Sequence, residues 1–335
     1  MSAMSNVNTK NKFLLVIVII NYKTPQLTID CLESLLPELS DLSVKVVIVD
    51  NNSQDDSCER IQGWIDQKDV LRQVDLVASI ENSGFSGGNN RGICYVEADY
   101  YLLLNSDTLV RKGAIALLLD TACKNKQAGL VSPRLEWPDA TPQESCFRYH
   151  SPVSQLISSA KTGLITRAFK KFVVPQPVSD TPSFYDWTSF ACVLVRAEVF
   201  EEISLMDEGY FMYFEDVEFC QRAAKAGWRV LHQPAAHVVH LRGGTSPLKS
   251  QARLRKRLPR YFYESRTRYF YQAYGRSGLL AANLLWTSGW LISSLRRLLS
   301  SAYTPDISER QWRDIWTNFT NPLKQYVHPD NYDKA

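Results

Sequence analysis

The sequence lacks any CxxC pair, the cysteine spacing that zinc sites and redox motifs share. Its seven cysteines are scattered over 335 residues, and this odd number at these spacings argues against a disulfide framework and a zinc site. Most of them stand in apolar patterns, which predicts buried, reduced thiols in a cytoplasmic protein. No secretory signal is recognisable, because the first apolar run, residues 13–20, is short and is followed by a polar turn. We therefore predict that this run is a buried strand.

The standard phosphate-binding loops are also missing, since the sequence has neither a GxGxxG fingerprint nor a GK[ST] loop. The stretch 82–92 is rich in glycine and asparagine but follows a different spacing. A glycine turn that leads into a helix presents backbone N–H groups to an anion, so Gly84, Gly87 and Asn90 are candidate contacts of a negatively charged ligand. A plain tight turn is the alternative interpretation.

The charge of the chain is nearly balanced, with a net charge of +3, so composition does not indicate a nucleic-acid partner. Seven basic residues nevertheless cluster between positions 251 and 272, interleaved with aromatic residues but without a nucleic-acid recognition motif. A charge-free stretch with two tryptophans follows between Arg276 and Arg296. It is marginal for a spanning helix, which needs about 20 mostly apolar residues. We favour a helix in the interface of an anionic membrane, with a helix packed on the protein core and a true span as alternatives.

From Phe13 onward, apolar strands alternate with helices, which is typical of an α/β fold with an open, mainly parallel sheet and flanking helices. Ligands of such sheets bind at the carboxyl ends of the strands. We predict strands at 13–20, 44–49, 74–78, 100–104 and near 129–132.

Two aspartates directly follow predicted strands and should face the ligand-binding edge. Asp50 can accept hydrogen bonds from a ribose or a base N–H group. Asp107, preceded by Asn105 and Ser106, can offer an oxygen ligand to a hard cation on a diphosphate. A helix cap for Asp50 and a turn-forming role for Asp107 are the alternatives.

The most informative segment places two adjacent carboxylates, Glu215 and Asp216, directly after four bulky residues at 211–214. Such surroundings would hold a carboxylate at the wall of a pocket, where loss of hydration raises its pKa toward that of a useful general base. The residues from Val217 to Arg222 indicate the start of a helix. The alternative is a pair of acids that only complement the helix dipole.

Two histidines, His237 and His240, are separated by two valines. In an extended strand their side chains point to opposite faces, so they are poor joint ligands of one metal. One of them could complete a metal site, and a structural histidine is the alternative.

Seven sequence strings, in this order, resemble the family 2 glycosyltransferases, and in particular their rhamnosyltransferase-like members. The resemblance covers residues 14–246, and its specificity comes from the order and spacing of strings that are weak singly. The strings are Val-Ile-Ile-Asn-Tyr at 18–22, Val-Asp-Asn-Asn-Ser at 49–53, the glycine-rich stretch 82–92, Leu-Asn-Ser-Asp at 104–107, and the stretches 187–196, 206–219 and 240–246.

The resemblance implies a GT-A fold and an inverting, metal-dependent hexosyltransferase. It would move a sugar such as rhamnose from a dTDP- or UDP-sugar to a saccharide or lipid-linked saccharide in cell-surface polysaccharide synthesis. Asp216 would be the catalytic base, and Glu215 would orient the site or bind the acceptor. Asp107 would bind Mg²⁺ or Mn²⁺ on the diphosphate, and His240 would reach the metal or the diphosphate. Nucleotide-sugar contacts would come from Asn21, Asp50, Asn52, Gly84, Gly87, Asn90, Asn105 and Ser106, and Trp187 and Asp207 would lie near the acceptor.

Two positions depart from the family pattern. Asn105 stands at the first position of the DxD motif, which makes the predicted metal site less charged. Phe190 stands where glycine is common in similar sequences, and its ring would narrow the pocket for the acceptor or the donor sugar.

We divide the chain into four predicted segments. Residues 1–12 are predicted to be disordered, 13–135 to form the nucleotide-sugar-binding half and 136–250 the acceptor-binding and catalytic half. Residues 251–335 would form a basic, aromatic helical extension that holds the protein on the inner face of the cell membrane. Several prolines within 136–186 predict an irregular, mobile or substrate-contacting insertion.

Two rival functions stay open at this point. A sugar nucleotidyltransferase would require a glycine- and lysine-rich loop near the N-terminus, and residues 20–23 do not form such a sequence. A non-catalytic saccharide- or nucleotide-binding module is the other rival, and the presence of Asp107, Asp216 and His240 counts against it.

Overall fold

A computed structural model describes residues 12–40, 42–241, 248–300 and 303–334. The predicted disorder at 1–12 lies outside these ranges except for Lys12, whose ammonium pairs with Asp99 at 2.7 Å. Most of the last string of the resemblance, at 242–246, also lies outside the described residues.

Nine strands form one mixed sheet in the part of the chain that the structure describes, with two further short strands paired beside it. The strands are β1 (Phe13–Asn21), β2 (Val44–Asp50), β3 (Val74–Ala78), β4 (Ala98–Asn105), β5 (Thr108–Val110), β6 (Ala128–Glu136), β7 (Cys146–Phe147), β8 (Ser183–Tyr185), β9 (Trp187–Thr188), β10 (Cys192–Arg196) and β11 (Arg229–His240).

The sheet follows the order β3-β2-β1-β4-β10-β6-β11-β5, with β8 paired to β11. Strands β1 to β4 are mutually parallel, as predicted, and β10 runs antiparallel between β4 and β6. The helices are α1 (Pro25–Leu35), α2 (Ser57–Lys68), α3 (Gly84–Ile93), α4 (Ala114–Lys124), α5 (Pro152–Ala160), α6 (Gly163–Ala168), α7 (Ala197–Ile203), α8 (Glu215–Lys225), α9 (Leu248–Arg253), α10 (Arg260–Leu299) and α11 (Gln311–Asp314).

Strand β1 is apolar almost throughout because helices cover both faces of the sheet. Its odd-numbered residues from Leu15 to Ile19 pack in one core cluster, and Val16 and Val18 pack in the other. The parallel register pairs Asn21 with Asp50 and Ile20 with Asn105, so the polar ends of β1, β2 and β4 lie side by side.

The glycines of α3 allow this helix to lie close to β1. A Cβ atom at Gly92 would overlap Val18, and one at Gly88 would touch Ile20 at 3.0 Å. Part of the glycine-rich motif therefore serves packing of the helix on the sheet rather than exposure of backbone N–H groups.

The proline-containing segment 136–186 is more ordered than its sequence predicts. It contains α5 and α6, and α5 packs along the long helix α10. The two helices approach so closely that a Cβ atom at Gly289 would overlap Ser159. The prediction of an irregular insertion is wrong for this part, because the apolar face of α10 supplies the packing surface that α5 needs.

Helix α10 contains 40 residues and is interrupted at Gly275, which has a φ of 68°. Among the described residues it is the one helix whose length and apolar composition would suffice to cross a membrane. The part of α10 after Gly275 has a buried side and an exposed side. Leu279, Ala282 and Trp286 lie on the buried side. The opposite side exposes Leu280, Leu284, Leu291, Leu295 and Leu298.

The basic stretch before this part is less available than its sequence indicates. Arg266 is buried, and Arg260 pairs with Glu264 within the helix. Arg268 forms an ion pair with Asp207 at 2.9 Å. Buried Arg266 and paired Arg268 thus hold α10 on the rest of the protein, whereas residues 253–256 remain exposed and Arg257, also exposed, pairs with Asp314 at 2.8 Å.

Candidate active site

A cavity of about 430 Å³ lies at the carboxyl ends of β1, β2 and β4, at the edge where open α/β sheets bind ligands. The first part of α10 and residues near 330 form its other side. Its wall consists of Ile20, Tyr22, Asn51, Asn82, Gly84, Phe85, Asn105, Ser106, Asp107, Ser189, Phe190, Ala191, Phe211, Met212, Tyr213, Glu215, Asp216, Pro259, Tyr261, His240, His328, Pro329, Asp330 and Tyr332.

Asp107 and His240 lie next to each other in this wall. Strand β11 pairs with β5 so that His240 stands opposite Thr108, and the Leu241 N–H donates to the Asp107 carbonyl. The imidazole Nε2 of His240 is 3.4 Å from the Asp107 Oδ1. His237 instead bonds Glu136 through Nδ1 at 2.8 Å and is absent from the cavity wall, in agreement with the alternation of side chains along a strand.

The carboxylates Glu215 and Asp216 are the first residues of α8 and line the same cavity. The chain enters this helix through a strained turn, because Tyr213 and Phe214 have φ values of 72° and 68°. A residue other than glycine in this left-handed region costs roughly 1–3 kcal/mol, so packing around the turn must stabilise it.

Helix α10 supplies that packing. Phe214 lies 5.6 Å from the ring centres of both Phe262 and Tyr269, and Tyr213 stacks on Tyr261 at 6.3 Å. The Ser265 hydroxyl donates a hydrogen bond of 3.1 Å to the carbonyl of Met212. The aromatic residues that we associated with a membrane from the sequence therefore fix the turn that carries the two carboxylates.

Loss of hydration dominates the acid–base properties of this pair. Burial raises the pKa of Asp216 to about 7, although the Val217 N–H, at 2.8 Å from its Oδ1, acts in the opposite direction. Burial, followed by repulsion from Asp216, raises the pKa of Glu215 well above its usual value. Among the described residues, the Oε2 of Glu215 has no hydrogen-bond partner. Asp216, with a pKa of about 7, can accept a proton near neutral pH, and the raised pKa of Glu215 favours its protonated form, which can donate a hydrogen bond.

Three of the predicted nucleotide-sugar contacts, Gly84, Asn105 and Ser106, line the cavity. Gly84 has a φ of 70°, and a Cβ atom there would overlap the carbonyl oxygen of Phe211. The N–H of Phe85 already donates to this carbonyl at 2.7 Å, and the Gly84 N–H donates to the side chain of Asn82. These two N–H groups are therefore not offered to an anion, contrary to our expectation for the glycine turn.

The other five predicted nucleotide-sugar contacts do not line the cavity. Asn21 donates to the Asp50 carboxylate at 2.7 Å, and that carboxylate also accepts the N–H and hydroxyl of Ser53. Asn90 exchanges hydrogen bonds with the backbone of Met206 and also donates to Glu208. Asn21, Asp50 and Asn90 are buried and hold neighbouring segments together. Ligand contact at these three positions therefore stays a prediction that the geometry does not favour. Asn52 and Gly87 also lie outside the cavity wall.

The two predicted acceptor residues also lie outside the cavity wall. The indole N–H of Trp187 donates to the Arg148 carbonyl at 2.8 Å. Asp207 accepts hydrogen bonds from Arg268 and Gln272, which lower its pKa although burial alone would raise it. Both residues therefore have structural partners here. Phe190, in contrast, does line the cavity, as expected for a ring that narrows it.

Sequence reasoning missed several residues of the wall. Asn51 lines the cavity and donates to Asn82 at 2.9 Å, whereas the neighbouring Asn52 was predicted. Tyr261 and the residues 328–332 also belong to the wall. The string Asp-Asn-Asn-Ser could have indicated Asn51, but no local signal relates positions near 330 to strands that end before 110.

The raised pKa of Asp216 predicts how stability depends on pH. The folded state binds the proton more tightly than the unfolded state, so this group stabilises the fold below about pH 4, and this contribution is lost as the pH rises through about 7. Asp216→Asn should therefore raise the Tm by about 2–4 °C at pH 8 and by less at pH 5. Thermal unfolding at both pH values measures this. The control Asp120→Asn changes an exposed carboxylate and should change the Tm by the same amount at both pH values. A change in Tm for Asp216→Asn that does not depend on pH would contradict the raised pKa of Asp216.

Comparison with known proteins relates the chain to glycosyltransferases. Residues 16–151 match the family model described as glycosyl transferase family 2. The chain is 28% identical over 284 residues to the N-acetylglucosaminyl-diphospho-decaprenol L-rhamnosyltransferase of Mycobacterium tuberculosis, which covers 76% of this chain and 84% of that protein. It is 27% identical over 228 residues to the low-salt glycan biosynthesis hexosyltransferase Agl10 of Haloferax volcanii, covering 67% of this chain and 66% of the relative. Rhamnosyltransferase WbbL of Escherichia coli is 26% identical over 164 residues, which are 47% of this chain and 60% of that protein.

Solved structures share the fold. The mannosyltransferase PcManGT from Pyrobaculum calidifontis, in complex with GDP-Man and Mn²⁺, superposes with a TM-score of 0.51 at 13% identity, over 97% of this chain and 88% of that one. GalNAc-T7 with UDP, GalNAc and Mn²⁺ gives a TM-score of 0.55 at 14% identity, over 88% of this chain and 59% of that one. Residues 16–151 therefore form a glycosyl transferase family 2 domain, and the chain has the GT-A fold, which fits transfer of a sugar from a nucleotide sugar.

Proposed function

We propose that the protein is an inverting, metal-dependent glycosyltransferase that moves a sugar, with rhamnose as our first choice, from a nucleoside-diphosphate sugar to a saccharide acceptor. One observation supports this most strongly: a carboxylate with a pKa of about 7, Asp216, shares one cavity with the adjacent pair Asp107 and His240. A base for the acceptor and two ligands for a diphosphate-bound cation thus line one cavity.

In the proposed reaction, Asp216 accepts the proton of an acceptor hydroxyl as its oxygen attacks the anomeric carbon of the donor sugar. The bond between that carbon and the diphosphate oxygen breaks in the same displacement, and the configuration at the carbon inverts. No covalent enzyme intermediate is required. The half-buried carboxylate suits this role because its pKa lies near neutral pH, where it is ionised yet still basic.

Glu215 has a different proposed role. It is buried, its pKa lies well above the usual range, and it lines the cavity beside Asp216. A protonated carboxyl group donates one hydrogen bond, so Glu215 would orient the acceptor or the Asp216 side chain.

The residues present fit a divalent cation. Asp107 would offer a carboxylate oxygen and His240 an imidazole nitrogen, and these two atoms are 3.4 Å apart on buried side chains. Among the described residues no third His, Cys, Asp or Glu joins them, so phosphate oxygens and water would complete the shell, as is usual for Mg²⁺ at nucleotide sites. Bound Mg²⁺ or Mn²⁺ would neutralise the negative charge of the departing diphosphate.

The relatives guide the choice of substrates. The mycobacterial relative is named as a rhamnosyltransferase that acts on a diphospho-decaprenol acceptor, and dTDP-rhamnosyl transferase RfbF of Shigella flexneri is 26% identical over 218 residues. We therefore propose a dTDP- or UDP-sugar as donor and a lipid-linked saccharide as acceptor in cell-surface polysaccharide synthesis.

The base assignment predicts a selective loss of turnover. Asp216→Asn removes the proton acceptor without changing the size of the side chain, so kcat should fall by about 10²- to 10⁴-fold or more. Nucleotide affinity should stay within about twofold, since the change leaves the cation ligands intact. Initial rates and calorimetric titration with UDP and dTDP measure the two quantities. Near-normal turnover in this variant would remove Asp216 as the base.

The cation site predicts that two histidines of one strand behave differently. His240→Ala should weaken Mn²⁺-dependent binding of UDP or dTDP by about tenfold or more, because one of two protein ligands is lost. His237→Ala is the matched control, since this side chain bonds Glu136 instead, and it should leave nucleotide affinity unchanged. Equal behaviour of the two variants, or nucleotide binding indifferent to chelation by EDTA, would contradict the assignment.

We also propose that the protein lies peripherally on the inner face of the cell membrane, where a lipid-linked acceptor is reached. The exposed leucines of α10 form an apolar surface, with Leu284, Leu291 and Leu295 each at least half exposed. Arg297 beside them and the exposed cations Arg253, Arg255 and Lys256 would provide attraction to anionic headgroups.

The double variant Leu291→Asp/Leu295→Asp tests this surface. Each buried leucine contributes about 1.5–3 kcal/mol, so cosedimentation with vesicles of phosphatidylglycerol and phosphatidylcholine should fall by at least tenfold. Leu71→Asp changes a leucine of similar exposure, 53%, outside α10 and should bind as the wild type does. Undiminished binding of the double variant would reject this surface as the membrane contact.

A further inference from the structure

Residues 320–332, which we call the C-terminal strap, run back along the first part of α10. Four hydrogen bonds attach them, and their partners on α10 descend from Arg276 to Tyr261 as the strap proceeds. The strap therefore runs antiparallel to the helix and ends over the cavity. The bonds join the Thr320 carbonyl to Arg276 (3.5 Å), the Leu323 carbonyl to Arg268 (3.2 Å), the Val327 N–H to Glu264 (3.2 Å) and the Tyr332 hydroxyl to the Tyr261 N–H (2.8 Å).

His328 connects the end of the strap to the opposite wall of the cavity. Its Nε2 lies 3.0 Å from the carbonyl oxygen of Asn82, and its Nδ1 lies 3.3 Å from the N–H of Asp330. A carbonyl can only accept, so Nε2 donates to the Asn82 carbonyl, while Nδ1 lies beside both the N–H and the carboxylate of Asp330. The ring also packs edge-on against Phe211 at 5.6 Å.

Asn82 belongs to the sheet side of the cavity. Its side-chain oxygen accepts hydrogen bonds from Asn51, which follows β2, and from the N–H of Gly84. A continuous chain of hydrogen bonds thus runs from the strap through His328 and Asn82 to the end of β2. A ligand in this part of the cavity lies between the sheet edge and the strap.

The strand order indicates which part of a donor would lie there. The proposed cation ligand Asp107 follows β4, and β2 lies two strands away, beyond β1. Neighbouring strands are about 4.8 Å apart, so the end of β2 lies roughly 10 Å from the diphosphate end of the site. This separation matches a nucleoside rather than a phosphate group.

We propose, on the basis of the proposed function, that the C-terminal strap binds the nucleoside of the donor, with His328 closing the cavity over it and Asp330 accepting hydrogen bonds from ribose hydroxyls. Asp330 lines the cavity, its side chain is 73% exposed, and it lies 3.4 Å from the His328 ring. A carboxylate accepts hydrogen bonds from hydroxyl groups but repels phosphates, so it suits the ribose and not the diphosphate.

Nucleotide binding measures this directly, without an acceptor or turnover. Calorimetric titration of the full chain with UDP and with dTDP, in the presence of Mn²⁺, should show about fivefold to tenfold weaker binding for Asp330→Asn and for His328→Ala. UDP should lose more than dTDP in Asp330→Asn, because UDP carries the additional ribose 2′-hydroxyl. His328→Gln retains an N–H donor that reaches the Asn82 carbonyl and should restore most of the affinity.

The control Asp306→Asn changes a carboxylate that pairs with Lys161 outside the strap, and it should bind both nucleotides as the wild type does. Nucleotide affinities of Asp330→Asn and His328→Ala within twofold of the wild type would overturn the inference. A higher KM for the acceptor in these variants, with unchanged nucleotide affinity, would overturn it as well. A wild-type protein that binds neither nucleotide would contradict the proposed function itself, and this inference with it. Binding by the wild type with unchanged variants contradicts the strap alone.

Discussion

The packing of α10 against the turn at Tyr213 and Phe214 is the interaction on which the site depends. Two successive left-handed residues are unfavourable by a few kcal/mol together, and nothing local in their sequence offsets this cost. Rings from Tyr261, Phe262 and Tyr269 hold the turn in place. This turn determines where α8 begins, and therefore where Asp216 lies in the cavity wall.

This dependence explains why the cavity joins distant parts of the chain. The sheet edge contributes Asp107 and the strand ends, the turn contributes the two carboxylates, and α10 with the C-terminal strap closes the remaining side. The family match ends at residue 151, before the proposed base. The matched part of the chain therefore carries the proposed cation ligand Asp107, whereas the proposed proton acceptor Asp216 lies beyond it.

The sequence predicts the sheet side of the site well, because apolar strands ending in polar residues imply that those ends lie together. Asn105, Ser106 and Asp107 line the cavity for this reason, and their ligand contacts stay a prediction. It predicts the buried polar residues poorly, since their partners are remote: Asn90 bonds Met206 at a separation of 116 residues. The contact of His328 with Asn82 spans 246 residues and leaves no periodic or compositional trace. Arginines such as Arg268 were misjudged for the same reason, because their counter-ions lie on other segments.

The break at Gly275 divides α10 into two parts that make different contacts. The part before it is fixed to the carboxylate turn, and the part after it carries the exposed leucines. From Gly275 to Leu299 the helix is about 36 Å long at 1.5 Å per residue, and α5 packs along it. A change of about 10° in the bend would move its far end by roughly 6 Å. In the proposed membrane-bound state, the backbone angles of Gly275 would therefore affect the height and tilt at which the cavity meets the lipid headgroups.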